Sequence, residues 1–539
     1  MPPAPAHERY DDPPGPLTPH AVHPLYTSRG FAGQVNVDLD YSNIVGDAAN
    51  EPSIAVDPRA PNRMVIAWRQ FDSVLSNFRQ AGYAWTNDGG RTWHPGVLDP
   101  GVFHSDPVIR ANADGEMFYS ALWTDNSSYR CDIFKTIDAG RNWTGPLPAF
   151  GGDKLWFAID RGNGPGRNHI YQVWTADFSD YRPNNFSRAI NAGAVFENPL
   201  QTFAAIWGTL AVGPLGELYI ATEGVRMLKS VNAQNPGVTP TFSLLPQIPL
   251  GLLGYEAPPN PAGLTGQVWV QVDKSDGPRR GWIYVLASSQ IRAGDPMDVN
   301  FVRSENGGAS WSAVQRVNPD PAHPAAWQWF ATMSIAPNGR LDVAWNDTSE
   351  SLDPRLNVLK YSSSADGGVS WSAPIPLTPT WDSHLGWPNQ EKIGDYYDME
   401  SDNLGADLAY AATLNGEQDV FYKRIGPHDC NRNGIGDAVD IARDPTIDCN
   451  HNQIPDSCEV AAGAAFDVNQ DGRPDSCFCN ADFDHDGDVG TDTDIEAFFE
   501  CLSGSCCPTC GSPDFDGDGD VGTDTDIEVF FRVLGGLPC

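Results

Sequence analysis

TNDGGRTW (residues 86–93) is a run of small polar residues closed by a tryptophan. It returns as TIDAGRNW (136–143), SENGGASW (304–311) and SADGGVSW (364–371). In each copy an aspartate or asparagine oxygen can accept bonds from the backbone N–H groups of a tight turn. The glycines supply the positive φ that such a turn requires, and the tryptophan can fill the space beside a neighbouring sheet. The four copies therefore predict four equivalent hairpin turns.

Short strands rich in Val, Ile and Tyr precede these turns, and the same module recurs along the chain. The first two turns start 50 residues apart and the last two 60 apart. Two degenerate copies, SRAINAGAVF (187–196) and SVNAQNPGVTPTF (230–242), lie between them. A period of this length built from short strands is typical of a β-propeller, because each sheet buries its faces only against its neighbours.

Seven module starts predict an all-β, seven-bladed propeller over residues 33–426. Six blades are the alternative, because the stretch 225–265 is irregular. The last module ends at QDVFYKRI (418–425) without a fourth strand, and GQVNVDLDYS (33–42) is expected to supply it and close the ring. The proline-rich residues 1–32 are expected to be disordered.

The four turns resemble the Asp boxes of the sialidase-type (BNR-repeat) propellers. In that family the boxes lie on blade hairpins away from the ligand, so the resemblance implies an architectural role for them. It also implies where a catalytic site would lie. A sialidase grips the substrate carboxylate with three arginines, and uses a tyrosine–glutamate pair and an aspartate acid/base.

The resemblance carries over only part of that catalytic set. The family's first arginine is absent, because the matching stretch is NEPSIAV (50–56). The segments MVIAWRQFDS (64–73), GDYYDME (394–400) and YIATEG (219–224) match better, and the implied catalytic residues are Arg69, Asp72, Tyr396 (or Tyr397) and Glu223. The missing arginine favours a propeller that binds carbohydrate or protein over an exo-acting glycoside hydrolase of the sialidase type.

Acidic and aromatic residues mark the beginnings of several first strands, which would converge at one rim of the propeller axis. The rim residues are Glu51, Asp106, Asp153, Trp156, Trp329 and Asp395. Convergent carboxylates beside aromatic side chains predict a site for a sugar or a cation. The alternative is that Asp at a strand start is simply good turn chemistry.

The last fifth of the chain differs sharply in composition. The protein has a net charge of −36, and from Asp429 onward 25 acidic residues stand against four arginines. Such a tail repels nucleic acid and must either stay solvated or bind cations. Ten of the 11 cysteines also lie there, which favours disulfides in an oxidising compartment. Zinc is the alternative, but CFC and CCPTC do not form the two C-x-x-C pairs of a zinc module.

DFDHDGDVGTDTDIEAFF begins at Asp482, and DFDGDGDVGTDTDIEVFF begins at Asp514, 32 residues later. Aspartates at loop positions 1, 3, 5 and 7 with glycine at 6, followed by a helix, are typical of calcium loops. The predicted ligands are Asp482, Asp484, Asp486, Asp488, Asp514, Asp516, Asp518 and Asp520. The pair resembles the repeats of dockerin domains, although position 12 is a threonine. Asp494 and Asp526 at position 13 either close the loops or cap the helices.

Three upstream segments, starting at residues 429, 448 and 467, share the pattern D-x-N-x-(N/D)-x-x-x-D and resemble thrombospondin type 3 calcium repeats. The predicted calcium ligands are Asp429, Asn431, Asn433, Asp437, Asp448, Asn450, Asn452, Asp456, Asp467, Asn469, Asp471 and Asp475. The sequence thus predicts type 3-like repeats over 427–478 and a small dockerin-like domain with short helices over 479–539. Disulfides and Ca²⁺ would stabilise this tail in place of a large core.

These features together predict a secreted or cell-surface protein. Residues 1–20 contain no basic start followed by an apolar stretch, so no secretion signal is visible in them. The expected partners are a glycan or glycoprotein at the propeller and a cohesin-like or cell-surface partner at the tail. Nucleic acid is not expected, and no apolar run is long enough to cross a membrane.

Overall fold

This computed structural model describes residues 11, 21–22, 32–125, 129–190, 192–193, 195–203, 208–222, 224–465, 467, 472–474, 481–484, 486–507, 510–515 and 521–535. The chain separates into two compact units, with the boundary between Gly426 and Pro427. The short segments Ala60–Asn62 and Asn87–Gly89 are grouped with the second unit.

The first unit consists mainly of seven antiparallel sheets, one for each expected blade. Blades 1 and 2 are β4 to β11: Ala48–Val56, Met64–Phe71, Gln80–Thr86, His94–Leu98, His104–Ala111, Met117–Thr124, Tyr129–Thr136 and Thr144–Pro148. Blades 3 and 4 are β12 to β18: Trp156–Ile159, Ile170–Val173, Phe186–Ala189, Leu210–Val212, Leu218–Thr222, Arg226–Ser230 and Ser243–Leu244.

The remaining blades contain additional short strands. Blade 5 is β19 (Leu252–Leu253) with β22 to β25: Trp269–Val272, Ile283–Gln290, Asp298–Ser304 and Gln315–Arg316. A separate hairpin, β20 (Tyr255–Ala257) and β21 (Asn260–Leu264), interrupts it. Blade 6 is β26 to β30: Gln328–Ile335, Leu341–Asp347, Leu356–Ser364, Ile375–Pro376 and Trp381–Asp382. Blade 7 is β31 to β33 (Asp398–Ser401, Ala406–Ala412, Asp419–Ile425) with β2 (Ala32–Gln34). Strands β1 (Ala21–Val22) and β3 (Asn43–Ile44) pair with each other.

The first strands of the blades form a closed ring. In order around it, β4, β8, β12, β15, β22, β26 and β31 each contact the next, and β31 contacts β4 again. Their side chains are largely buried, because the inner strands are covered by neighbouring blades on both faces. The predicted seven-bladed propeller is therefore confirmed, and the six-bladed alternative is wrong.

The ring is closed by the N-terminal strand, as the sequence predicted. Strand β2 pairs antiparallel with β33, with Gly33 opposite Tyr422. Beyond it, the Val35 N–H donates to the Val420 carbonyl at 2.9 Å. Buried Gln34 and Asn36 both donate to the Asp419 carboxylate, at 2.9 and 2.7 Å. These contacts join the two ends of the propeller sequence within one blade.

The four quoted turns connect the third and fourth strands of blades 1, 2, 5 and 6. In each copy, the N–H of the fifth residue donates to the hydroxyl of the first. Asp366 shows the expected carboxylate role, accepting from Ser364, Val369 and Ser370 at 2.6 to 3.0 Å. At Gly368, where φ is +79°, a Cβ would lie 2.1 Å from Phe301 of the preceding blade. Glycine is needed there because the blades approach so closely.

The second unit contains four short α-helices: α1 (Asp437–Arg443), α2 (Asp456–Ala462), α3 (Asp492–Leu502) and α4 (Asp524–Leu534). Disulfides join Cys430 to Cys458, Cys501 to Cys506 and Cys507 to Cys510, which confirms the preference for disulfides over zinc at these thiols. No helix in the described part of the chain has the length and apolar content needed to span a membrane.

Helices α3 and α4 share a small aromatic core that the sequence analysis did not predict. Phe498 and Phe530 stack with their ring centroids 4.0 Å apart, and Phe483 and Phe515 pack around them. Each pair is separated by 32 residues, the period of the duplicated loops. The paired repeats are therefore stabilised by a core of their own.

Candidate functional site

The beginnings of the inner strands turn charged side chains toward the propeller axis. Glu51, Asp106 and Lys154 adopt left-handed backbone conformations, with φ of 53°, 46° and 57°. The strand register shifts at Glu51 and Asp106, between Asn50 and Ser53 and between Ser105 and Val108. Such bulges redirect side chains locally, and backbone strain of this kind concentrates where the surrounding structure enforces it.

Seven charged residues meet at this end of the axis, and we call them the axial charge cluster: Glu51, Arg69, Asp106, Asp153, Lys154, Lys392 and Asp395. The Nζ atoms of Lys154 and Lys392 each lie 2.7 Å from Oδ2 of Asp395. Lys154 also lies 3.4 Å from Asp106 and 3.5 Å from Asp153. The predicted rim carboxylates therefore do converge, and two lysines lie among them.

Glu51 contacts two cations of the axial charge cluster, Arg69 and Lys392. Its carboxylate lies 3.4 Å from Lys392 Nζ and 3.2 Å from Arg69 Nε. Burial raises the pKa of Glu51 to about 8, and attraction by Arg69 and Lys392 offsets only part of this effect. Burial also raises the pKa of Asp106, but the combined attraction of Lys154, Arg69 and Lys392 outweighs it and leaves that pKa below its usual value. With Glu51 protonated and neutral, the axial charge cluster contains three ionised carboxylates and three cations, so its charges balance. They are Asp106, Asp153 and Asp395 against Arg69, Lys154 and Lys392.

A hairpin and a loop cover the axial charge cluster. From the β20–β21 hairpin, Leu264 N–H donates to Asp395 Oδ1 at 2.9 Å, and Asn260 Nδ2 donates to the Gly394 carbonyl at 2.8 Å. The Ile393 N–H donates back to Asn260 at 3.0 Å. All seven members of the cluster are buried. This end of the axis is therefore a closed ionic core.

The residues implied by the sialidase resemblance are only partly brought together. Arg69 belongs to the axial charge cluster, and Tyr396 lies beside it, donating from its hydroxyl to the Pro107 carbonyl at 2.7 Å. Burial and the nearby Glu51 raise the pKa of Tyr396 well above its usual value. Asp72 lies elsewhere, half-buried, and accepts from Gln80 at 2.8 Å. Glu223 lies outside the described residues.

The two predicted aromatic platforms occupy different surroundings. Trp156 lies on the axis, in edge-to-face contact with Tyr396 at 5.0 Å and with Trp269 at 5.5 Å. Trp329 is fully buried, packs at a tilt against Phe330 with ring centroids 4.5 Å apart and donates from Nε1 to Asn357 at 2.8 Å. Both side chains are buried, but Trp156 borders the space around the axis, whereas Trp329 packs within its own blade.

The inner strands enclose a cavity of about 500 Å³, the axial cavity, which extends from the first residues of β12, β22 and β31 to the C-terminal ends of the strands. Its charged and polar lining includes Arg110, Arg161, Gln271, Lys274, Asp398 and Glu400, and its aromatic lining is Trp156 and Trp269. A volume of this size, with aromatic walls and a few converging polar groups, is typical of small-molecule sites. Of these residues, Trp156 alone was predicted from the sequence.

Two ion pairs line the axial cavity at different depths. Arg110 bonds Asp398 at 2.6 Å, and its guanidinium lies over the Trp156 ring, 5.3 Å from the centroid. Arg161 pairs with Glu400 and donates from Nε to the Ala111 carbonyl at 2.8 Å. Side-chain exposure is 30% and 24% in the Arg161 pair but 18% and 2% in the Arg110 pair. The cavity therefore opens to solvent beside Arg161.

The tail loops at 429 and 448 share one hydrogen-bonding pattern. The first aspartate of each accepts backbone N–H bonds from positions 5 and 6, at 2.9 to 3.0 Å. The loop at 482 repeats it, with Asp482 accepting from Asp486 and Gly487 at 3.1 and 3.2 Å. The shared pattern shows that the first aspartate bends the three loops in the same way.

Two acidic residues that the sequence analysis missed complete the first pair of loops. Asp440, on α1, bonds the amides of Asn431 and Asn433 at 3.1 and 2.6 Å. Glu459, on α2, bonds the amides of Asn450 and Asn452 in the same way, at 2.6 to 3.3 Å. Both occupy position 12 of their loops, the place of the closing acid in a calcium loop. Counting to position 12 would have identified them.

The other predicted tail ligands are placed less uniformly. Asp437 and Asp456 begin α1 and α2 and accept from the N–H groups of Cys430 and Cys449. Asp482, Asp484 and Asp494 bring carboxylate oxygens within 4.8 Å of one another. Asp494 and Asp526 also accept from the N–H groups of Thr491 and Thr523 at 2.7 and 2.8 Å, so both cap their helices. Asn469, Asp471, Asp475, Asp516, Asp518 and Asp520 lie outside the described residues.

A scan against protein-family models gave no match, and neither did a search of curated proteins. Solved structures do resemble the chain. A Dyadobacter fermentans protein of unknown function is 12% identical, over 71% of this chain and 95% of that one, with a TM-score of 0.40. A PL25 polysaccharide lyase (an ulvan lyase) is 9% identical over 71% and 94%, with a TM-score of 0.42. The Hadza microbial sialidase Hz136 is 13% identical over 70% and 66%, with a TM-score of 0.38. At TM-scores below 0.5 these likenesses carry no argument about ligand or chemistry.

Proposed function

We propose that this chain is an extracellular carbohydrate-binding propeller carried on a calcium-binding tail. The observation that supports binding is the axial cavity, where Trp156 and Trp269 adjoin two ion pairs and Gln271. Sugars suit such a site because their apolar faces pack on aromatic rings while their hydroxyls bond charged and amide groups. The disulfides of the tail are consistent with an oxidising, extracellular location.

The binding proposal is tested with the full chain on a glycan array, followed by calorimetry with the saccharides retained. Trp269→Leu should abolish binding because it removes an aromatic wall of the cavity. Trp85→Leu is the matched control, since Trp85 is half-buried and contacts His94 and Arg141 instead. Equal binding by both variants, or no retained saccharide at all, would contradict the proposal.

The second candidate is an exo-acting glycoside hydrolase of the sialidase type. Tyr396 lies beside Glu51 and Arg69, which is the kind of grouping that such a mechanism uses. Its raised pKa and its bond to Pro107 oppose a role as nucleophile. A fluorogenic sialoside and a panel of other glycosides test this candidate. Turnover that Asp72→Asn or Tyr396→Phe abolishes would support it over binding alone.

For the tail, we propose that the loops at 429, 448 and 482 hold Ca²⁺. Carboxylate and amide oxygens are the donors that this ion prefers, and Asp440 and Glu459 stand at the closing positions. The tail would then act as a spacer or dock for a cell-surface or cohesin-like partner. Calorimetric titration with Ca²⁺ should detect binding, and Glu459→Gln should weaken it. No heat of binding in chelator-treated protein would contradict the assignment.

A further inference from the structure

The axial cavity carries a positive charge balance in a chain whose net charge is −36. Arg110, Arg161 and Lys274 line it, against the two carboxylates Asp398 and Glu400. A cation-rich site on an anionic protein concentrates anions locally, because the walls of a cavity focus its field.

Both carboxylates that line the axial cavity already accept hydrogen bonds from an arginine and from other groups of the protein. Asp398 accepts from Arg110, from Ser53 Oγ at 2.7 Å and from the Ile54 N–H at 3.1 Å. Glu400 accepts from Arg161 and from the Val56 N–H at 3.1 Å. Their negative charges are therefore neutralised in place and oppose an anionic ligand only weakly.

Lys274 differs from Arg110 and Arg161, which each pair with a carboxylate of the cavity. It keeps solvent access, and within the described part of the chain no carboxylate lies at ion-pair distance from its Nζ. Desolvation by the cavity walls lowers the pKa of Lys274, although Asp160 and Glu217 oppose this from farther away. An ammonium that is partly desolvated and lacks a direct counter-ion gains most from a ligand that supplies one.

We infer that the axial cavity binds an anionic saccharide and that Lys274 contacts its carboxylate or sulfate group. This inference rests on the proposed carbohydrate-binding function and adds the class of sugar and the residue that selects it. Trp156 and Trp269, although largely buried, form the aromatic wall beside the sugar ring, and Gln271 lines the cavity where it can bond hydroxyls. The cavity opens at the other end of the inner strands from the axial charge cluster, although its Trp156 contacts Tyr396 with ring centroids 5.0 Å apart.

The first experiment applies the full chain to an array with equal numbers of neutral, uronate-containing, sialylated and sulfated saccharides. We expect the retained saccharides to be anionic, and the carboxylated and sulfated arms show which group Lys274 recognises. If neutral saccharides bind as well as anionic ones, the inference is overturned while carbohydrate binding stands. If no saccharide is retained, the proposed function itself fails.

The second experiment measures calorimetric affinity for the anionic saccharide that the array retains most strongly. Lys274→Gln should weaken binding by about ten-fold or more, and Lys274→Arg should restore most of it, because the lost interaction is a partly desolvated charge pair. Raising the salt concentration should weaken the wild type more than the Gln variant. Lys135→Gln, at a surface ion pair with Glu116, is the matched control and should have no effect. Equal affinities for Lys274→Gln and wild type would overturn the inference.

Discussion

Lys392→Met tests whether the axial charge cluster stabilises the propeller as a unit. Lys392 is fully buried, 2.7 Å from Asp395 and 3.4 Å from Glu51. The substitution removes its charge but keeps most of its volume. Asp395 then keeps Lys154 and the Leu264 N–H as partners. Removing one partner from a buried pair typically costs about 3–5 kcal/mol. Because Glu51 is largely protonated at neutral pH, the loss falls mainly on Asp395, and we expect about 3 kcal/mol.

The assay is equilibrium urea unfolding of the full chain, followed by tryptophan fluorescence. All 17 tryptophans precede residue 427, so the signal reports the propeller and not the tail. Lys135→Met is the matched control, since its pair with Glu116 has the same 2.7 Å distance but both side chains are about a quarter exposed (24% and 26%). A surface pair contributes at most about 1 kcal/mol.

Two outcomes decide this prediction. Equal losses of unfolding free energy in Lys392→Met and Lys135→Met would show that the buried charge of Lys392 does not stabilise the propeller. Adding Asp395→Asn to Lys392→Met should recover part of the loss, because it removes the carboxylate left short of a partner. A double variant that is less stable than the single one would show that packing, not charge, dominates at this position.

Four further predictions concern pH, the repeated turns and the tail. Burial raises the pKa of Glu51 to about 8, from 4.5 in the unfolded chain. Between about pH 4.5 and 8 the folded chain therefore binds one more proton at Glu51 than the unfolded chain does. The contribution of Glu51 to the free energy of unfolding consequently falls as pH rises through this range. Glu51→Gln should therefore lessen the decline in unfolding free energy from pH 5 to pH 8, and unchanged slopes in urea titrations would contradict this. Asp366→Ala removes the acceptor of four hydrogen bonds. It should lower the free energy of unfolding, measured by tryptophan fluorescence, by about 1–3 kcal/mol without altering the affinity for saccharide. A chelator should speed proteolysis of the tail while propeller melting stays constant. Asp440→Asn should weaken Ca²⁺ binding, whereas Asp444→Asn, at a carboxylate that accepts from Thr446 outside the loops, should leave it intact.

The repeated turns explain why so much of the fold was predictable. The sequence TNDGGRTW contains its own turn chemistry: a carboxylate acceptor, a hydroxyl that bonds the fifth N–H, and glycines with positive φ. Each of these acts over a few residues, so the pattern is legible without knowing the neighbours. The closure by β2 followed from counting strands, since the last blade was one short.

The candidate site was predictable only in part. Four rim carboxylates were identified because acids at strand starts are visible in the sequence. Lys154 and Lys392 were missed because a single lysine beside a strand resembles any surface lysine. Their partner Asp395 is 241 residues from Lys154 and three from Lys392, and Glu51 is 341 residues from Lys392. Only closure of the ring brings these side chains within 4 Å.

In the tail, the spacing of aspartates and asparagines predicted the loops, and among the described residues the first aspartate bends three of them in the same way. The closing acids at position 12 could have been found by counting further along each loop, where Asp440 and Glu459 stand. The aromatic core of Phe483, Phe498, Phe515 and Phe530 was not anticipated, because these residues belong to two repeats 32 apart that pack only after both helices form.

The sequence by itself therefore determined the blade repeat, the closing strand, the disulfide-rich tail and the bends of its loops. Those features depend on interactions between residues close in the chain or on a count of repeated segments. The tertiary structure decided that one end of the axis is a closed ionic core and the other an open, cation-lined cavity. That difference arises because seven strands that are far apart in the sequence meet around one axis. At one end of the axis the charged side chains are buried against one another, whereas at the other end charged side chains line a cavity that opens to solvent.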